Sequence, residues 1–180
     1  MKTERVLLLP GWMNSAEDHW QSLWERQLGH QRVEQSDWEW PRRGDWMARL
    51  EEVLLEDDRP TLLVAHSLGC HLVAGWAEHS SQKRRVKGAL LVAPPDASRL
   101  PPQLHNWRQA HEGQGRRHLP FPSITVISSN DPYCSLEEGS RLAADWGSRL
   151  VLAGSAGHLN EAARLGDWPE GQTLLAQLHG

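Results

Sequence analysis

The sequence predicts an α/β protein with one six-stranded parallel sheet and helices on both faces. Runs of Leu and Val without polar alternation recur along the chain, as in strands buried on both sides. Segments with apolar residues at helical spacing separate these runs. Regular alternation of the two patterns implies parallel strands joined by right-handed crossovers. Thr61–Trp76 shows both patterns in one stretch, beginning as Thr-Leu-Leu-Val-Ala and ending with Leu68, Leu72, Val73 and Trp76 at helical spacing.

Arg5–Leu9 reads as the first strand, closed by Pro10-Gly11-Trp12. Ser15-Ala16-Glu17-Asp18 resembles a capping box with Asp for Glu. It predicts a helix running to about Leu28, with Trp20, Leu23, Trp24 and Leu28 inward and Gly29 as its stop. A short second strand is expected over residues 32–35. Met47, Leu50, Val53 and Leu54 then mark a second helix. Thr61–Ala65 is the third strand, Val86–Val92 the fourth, Ser123–Ser128 the fifth and Arg149–Leu152 the sixth. Ser135-Leu136-Glu137-Glu138 caps the helix between the last two strands. Asn160 caps a short turn, and a terminal helix covers Pro169–Leu178. Between Pro94 and Pro122 the chain is rich in Pro, Gly and His and weakly patterned. That is long for a connection, with too few apolar residues to roof a long channel.

The 180 residues suit a single domain, 1–180, with one core. A net charge of −4 offers no electrostatic case for nucleic acid or an anionic membrane. Four apolar residues before Pro10 are too few for a signal peptide, and no stretch approaches a membrane span. Two cysteines, Cys70 and Cys134, form no disulfide framework and have no zinc spacing, so a cytoplasmic location is expected. Ten Trp against one Phe and one Tyr means that tryptophan must fill much of the core.

Ala65-His66-Ser67-Leu68-Gly69 is a G-x-S-x-G nucleophile elbow with Ala at its first position. Such a turn exposes a serine hydroxyl above the sheet, and it needs small neighbours because the backbone is crowded there. A serine that merely caps the helix would look similar. The strand before it and the helix after it favour the elbow. In parallel sheets ligands sit beyond the carboxyl ends of the strands. Those ends carry Gly11-Trp12, Trp38 and Trp40, Ser67, Asp96, Asn130-Asp131 and Gly157-His158.

A serine nucleophile needs an imidazole to take its proton and a carboxylate to set that imidazole's tautomer. His158 is the expected base. Asp131 and Asp96 both end strands, and Asp131 is favoured because Ser67, Asp131, His158 follow the chain order of α/β-hydrolases. The backbone N–H groups of Trp12 and Leu68 are the expected oxyanion donors. Gly11, His19, Trp38, Trp40 and His66 are candidates for the pocket wall, and the remaining histidines are expected at the surface. No metal or cofactor is called for.

Pro10-Gly11-Trp12, His19-Trp20-Gln21-Ser22-Leu23-Trp24, the elbow, Ser128-Ser129-Asn130-Asp131-Pro132-Tyr133 and Gly157-His158-Leu159-Asn160 together resemble the small serine hydrolases related to retinoblastoma-binding protein nine. The resemblance implies a compact α/β-hydrolase fold without a large cap domain. It places Ser67, Asp131 and His158 at the family's triad positions, which selects Asp131 over Asp96. The family's natural substrates are poorly defined, so the expected activity, hydrolysis of small esters and of amides or thioesters, is read from the triad, with the oligomeric state open and a monomer favoured. The alternative class is a binding module on the same fold that uses a tryptophan-lined cleft without turnover.

Overall fold

A computed structural model describes residues 3–108 and 117–179. Six parallel strands form one sheet: β1 Arg5–Leu9, β2 Gln31–Arg32, β3 Thr61–His66, β4 Val86–Val92, β5 Ser123–Ile127 and β6 Arg149–Leu152. Their order is β2-β1-β3-β4-β5-β6. The central register pairs Leu7 with Leu63, Ala65 with Leu91 and Val92 with Val126. β1, β3 and β5 are buried along their whole length.

The helices are α1 Trp20–Leu28, α2 Arg43–Leu55, α3 Leu68–His79, α4 His105–Arg108, α5 Leu136–Asp145 and α6 Pro169–Ala176. Strand residues alternate between two apolar layers, as the pleat requires. Leu7, Leu9, Leu63, Ala65 and Leu91 face α2, α3, α5 and Trp107. Val6, Leu8, Leu62, Val64 and Leu90 face α1, α6 and Trp168. The tryptophans divide accordingly. Trp20, Trp24 and Trp168 pack together in the second layer, while Trp46 touches Trp38 and Trp107 in the first. This is the compact α/β-hydrolase architecture, with no large cap among the described residues.

Several boundaries differ from expectation. His19, not Ser15, is the N-cap of α1, its Nδ1 accepting from the Gln21 N–H at 3.1 Å. The Ser15 hydroxyl is instead held by Gln21 Oε1 at 2.8 Å. β2 is two residues long, and one further bond, Val33 N–H to the Leu8 carbonyl at 2.9 Å, extends its pairing. Such a short edge strand offers little unpaired backbone to other chains. Ser135 caps α5 through the Glu138 N–H, but the Glu138 carboxylate pairs with Arg141 and does not close the box. Asn160 caps its short turn as expected. Between β4 and β5, residues 97–108 contain short helical turns, and residues 109–116 of that connection lie outside the described residues. No helix among the described residues is long and apolar enough to cross a membrane.

Candidate active site

Because the strands are parallel, the turns after β1, β3, β5 and β6 open on one edge. The strand order reverses between β1 and β3, which leaves a crevice there. Ser67 sits in it at φ 54 and ψ −123, a backbone geometry that L-residues rarely adopt. Its N–H donates to the Val92 carbonyl at 2.9 Å, tying the turn to β4. Two glycines make the turn possible. A Cβ on Gly69 would lie 2.3 Å from the Leu9 carbonyl oxygen, and one on Gly11 would lie 2.8 Å from Ser67 Cβ and 3.2 Å from Leu68 N. The Gly11-Trp12 turn therefore packs directly on the first residue of α3. Leu68 N–H, at that helix start, has no intrahelical acceptor.

Ser67, His158 and Asp131 form one hydrogen-bonded line. The Ser67 hydroxyl lies 2.9 Å from His158 Nε2. His158 Nδ1 lies 2.9 Å from Asp131 Oδ2 and 3.1 Å from Oδ1. An ionised carboxylate only accepts, so Nδ1 carries the proton and Nε2 is free to accept from the serine. The two side chains are 9% and 3% exposed, which keeps water from competing for these bonds. Asp131 Oδ1 also accepts from the Tyr133 N–H at 2.9 Å. The His158 loop hangs from the turn after β5. Ala156 N–H donates to the Ser128 hydroxyl and Gly157 N–H to Asn130 Oδ1, both at 2.8 Å.

Asp96 is placed elsewhere. Its Oδ1 accepts from the Ser98 N–H and hydroxyl, capping a short helical turn.

Two buried histidines back the site. His66 Nε2 lies 2.9 Å from the His158 carbonyl oxygen, so it must donate. Burial, with His19 and His158 nearby, pushes the His66 pKa well below its ordinary value and keeps the ring neutral. His19 is held down to about 3, first by burial and then by Arg32 and His158. With its Nδ1 occupied as an acceptor, its proton sits on Nε2, which has no hydrogen-bond partner among the described residues. His71 is also buried, contrary to the expectation of a surface role, with Nε2 2.7 Å from the Pro95 carbonyl oxygen.

A cavity of about 560 Å³ opens over Ser67. Gly11, Trp12, His19, His66 and Leu68 line it, as do Leu100, Leu104, Tyr133, His158 and Asn160. Trp38 and Trp40 do not. Trp38 packs on Trp46 in the core, and Trp40 is 61% exposed. Their loop contributes backbone instead, with the Trp38 carbonyl accepting from Met13 N–H and the Glu39 carbonyl from Trp12 Nε1. Sequence reasoning misses Leu100 and Leu104 in the weakly patterned connection, although Leu100, Leu104 and Trp107 keep helical spacing. Tyr133, whose ring meets His158 edge-on at 4.6 Å, carries no such signal.

Both cysteines are free, and burial raises both thiol pKa values, that of Cys134 to about 12. Neither is a nucleophile near neutrality. Among the described residues no group of three His, Cys, Asp or Glu side chains could hold a metal ion.

Comparison with known proteins gives this geometry its context. The serine hydrolase family model matches residues 6–177. A protein described as a YdeN-like hydrolase, from Pectobacterium atrosepticum, is 30% identical with a TM-score of 0.87, over 98% of this chain and 90% of its own. The ydeN gene product of B. subtilis is 22% identical with a TM-score of 0.77, over 98% of both chains. A Bacillus cereus carboxylesterase is 17% identical with a TM-score of 0.60, over 98% of this chain and 87% of its own. The last two likenesses bear on the fold alone. No match was found among curated proteins. An elbow serine on this fold, with the family match spanning nearly the whole chain, shows that the protein belongs to the serine hydrolase family.

Proposed function

We propose that the protein cleaves small carboxylic esters, and amides or thioesters of similar size, through an acyl-enzyme on Ser67. The observation that carries this reading is the unbroken line from Ser67 Oγ through His158 to Asp131, each link at 2.9 Å. His158 Nε2 takes the serine proton as Oγ bonds to the substrate carbonyl carbon. The oxygen gains a full negative charge, which Leu68 N–H and Trp12 N–H receive. Collapse of this intermediate breaks the bond to the leaving group, and His158 returns the proton to it. Water, deprotonated by His158, then repeats the sequence and frees the acid. Asp131 holds the Nδ1–H tautomer and stabilises the imidazolium in both halves.

The cavity's size and its Leu100 and Leu104 wall support short acyl groups. The Ser-Ser-Asn-Asp-Pro-Tyr and Gly-His-Leu-Asn segments support kinship with the hydrolases related to retinoblastoma-binding protein nine. Two free buried cysteines support a cytoplasmic location. In this reading the enzyme acts as a monomer, without metal or cofactor. The test is labelling with a fluorophosphonate probe read by intact mass. One adduct on the wild type and none on Ser67→Ala is expected. Labelling that persists in Ser67→Ala overturns the assignment.

A further inference from the structure

The turn that carries Trp12 is strained. Met13 and Asn14, neither a glycine, follow it at φ 67 and 66. Consecutive left-handed residues of this kind persist only where their surroundings over-determine them. Some of that restraint is backbone, through Met13 N–H to Trp38 and Asn14 N–H to Gly11. Trp12 Nε1 to the Glu39 carbonyl and the Ser15 hydroxyl to Gln21 add two side-chain restraints, and the largest set comes from Arg32 of β2, whose side chain is 8% exposed.

Four guanidinium N–H groups of Arg32 donate hydrogen bonds, and an ion-pair contact with Glu25 completes its surroundings. Nη1 donates to Asn14 Oδ1 at 2.6 Å and to the Ser15 carbonyl at 3.3 Å. Nη2 donates to the Ser22 hydroxyl at 2.6 Å and meets Glu25 Oε2 at 2.9 Å, while Nε donates to the same carboxylate at 3.0 Å. The network closes on the strained turn from both sides. Asn14 Oδ1 also accepts from Ser15 N–H at 2.8 Å, and the Ser22 hydroxyl donates to the Ser15 carbonyl at 3.3 Å. Glu25 alone would balance the charge. The Nη1 edge aimed at residues 14 and 15 goes beyond what an ion pair needs.

We propose that Arg32 is a positioning residue for the oxyanion hole, clamping Asn14 and Ser15 so that the Trp12 N–H stays directed at the developing oxyanion. This rests on the serine hydrolase reading above. Arg32 touches neither Ser67 nor His158 in the structure, and it acts through the turn. A lysine offers three donors from a single point and cannot reproduce the fork. An oxyanion donor displaced by about 1 Å costs on the order of 10²-fold in rate.

The experiment compares wild type with Arg32→Lys and Asn14→Gly. The glycine accepts the left-handed backbone while removing the Oδ1 acceptor. For each protein, kcat and KM are measured on p-nitrophenyl acetate, together with Ki for trifluoroacetone. Ser67 Oγ adds to the carbonyl of that ketone, leaving an oxyanion in the hole. In Arg32→Lys, kcat should fall about 10- to 100-fold with KM nearly constant, and the ketone's Ki should rise by the same factor. Asn14→Gly should show a smaller loss of the same kind, and it decides alone if Arg32→Lys does not fold. Activity within about twofold of wild type in both variants overturns the proposal. So does a fall in kcat/KM without a matching rise in Ki, because the damage then lies outside the hole. A wild type inert to both ester and ketone refutes the hydrolase reading itself, and the Arg32 proposal with it.

Discussion

Replacing Asp131 with Asn tests the proposed chemistry most sharply, because the structure dictates which way the amide must face. Asp131 Oδ1 accepts from Tyr133 N–H at 2.9 Å, and Oδ2 accepts from His158 Nδ1 at 2.9 Å. In the Asp131→Asn variant the amide oxygen keeps the Tyr133 bond, so the amide nitrogen faces Nδ1. It can only donate there, which opposes the Nδ1–H tautomer even though the amide oxygen stays 3.1 Å from Nδ1, and so favours the imidazole proton on Nε2, where it leaves no base opposite Ser67. Flipping the amide would set two donors face to face at Tyr133, costing about 1–3 kcal/mol and leaving roughly one molecule in five to one in 160 with the active tautomer. The variant also loses the negative charge that stabilises the imidazolium. Together these should approach the ~10⁴-fold loss in kcat that the equivalent change causes in a serine protease of the chymotrypsin fold, or about 5.4 kcal/mol.

Asp96→Asn keeps its Oδ1 acceptor for Ser98 and should stay within about threefold of wild type. Turnover of p-nitrophenyl acetate reads both variants, and circular dichroism establishes that each is folded. An Asp131→Asn enzyme within tenfold of wild type, or an Asp96→Asn enzyme equally damaged, would refute the tautomer argument.

On p-nitrophenyl esters, kcat/KM should peak between acetyl and roughly hexanoyl and then fall, because a chain outside the cavity gains little of the ~0.8 kcal/mol per methylene. Leu104→Ala should move that peak to longer acyl groups, and a profile still rising at palmitoyl would expose a channel this cavity lacks. Stability should decline as pH falls. His19, held down to about 3, and His66 remain neutral in the folded protein while the unfolded chain protonates both near 6.5, so stability present above that pH is lost on the way down to about 3. Each such group adds a slope of about 1.4 kcal/mol per pH unit, and urea titrations from pH 7 to 4 should flatten in His19→Asn, which retains a helix cap. Gly69→Ala should cost about 3 kcal/mol in urea unfolding and abolish fluorophosphonate labelling, since its Cβ would lie 2.3 Å from the Leu9 carbonyl oxygen. Wild-type labelling and stability in that variant would show that the elbow yields more readily than its geometry implies.

The layered fold was legible in the chain because its signals are local. The Leu- and Val-rich runs, the helical spacing between them and a small–His–Ser–Leu–Gly turn each depend on residues within one element. Parallel pairing then carries the ends of β3, β5 and β6 to one edge, so Ser67, Asp131 and His158 could be named as neighbours before any distance was known. Side-chain partners chosen across the sheet were not legible. Ser15 matched a helix cap by pattern, yet Gln21 takes its hydroxyl and His19 caps α1. Trp38 and Trp40 stood at a strand end, where pocket residues belong. The turn of their loop sends one ring into the core and the other into solvent, and only their backbone supports the site. Arg32 looked like an ordinary polar residue on a short edge strand, and four of its N–H groups found their acceptors on residues 7 to 18 positions away in the sequence. Periodicity records which face of an element is buried. Which polar groups meet across that face depends on crossover packing and backbone strain, which no local pattern encodes.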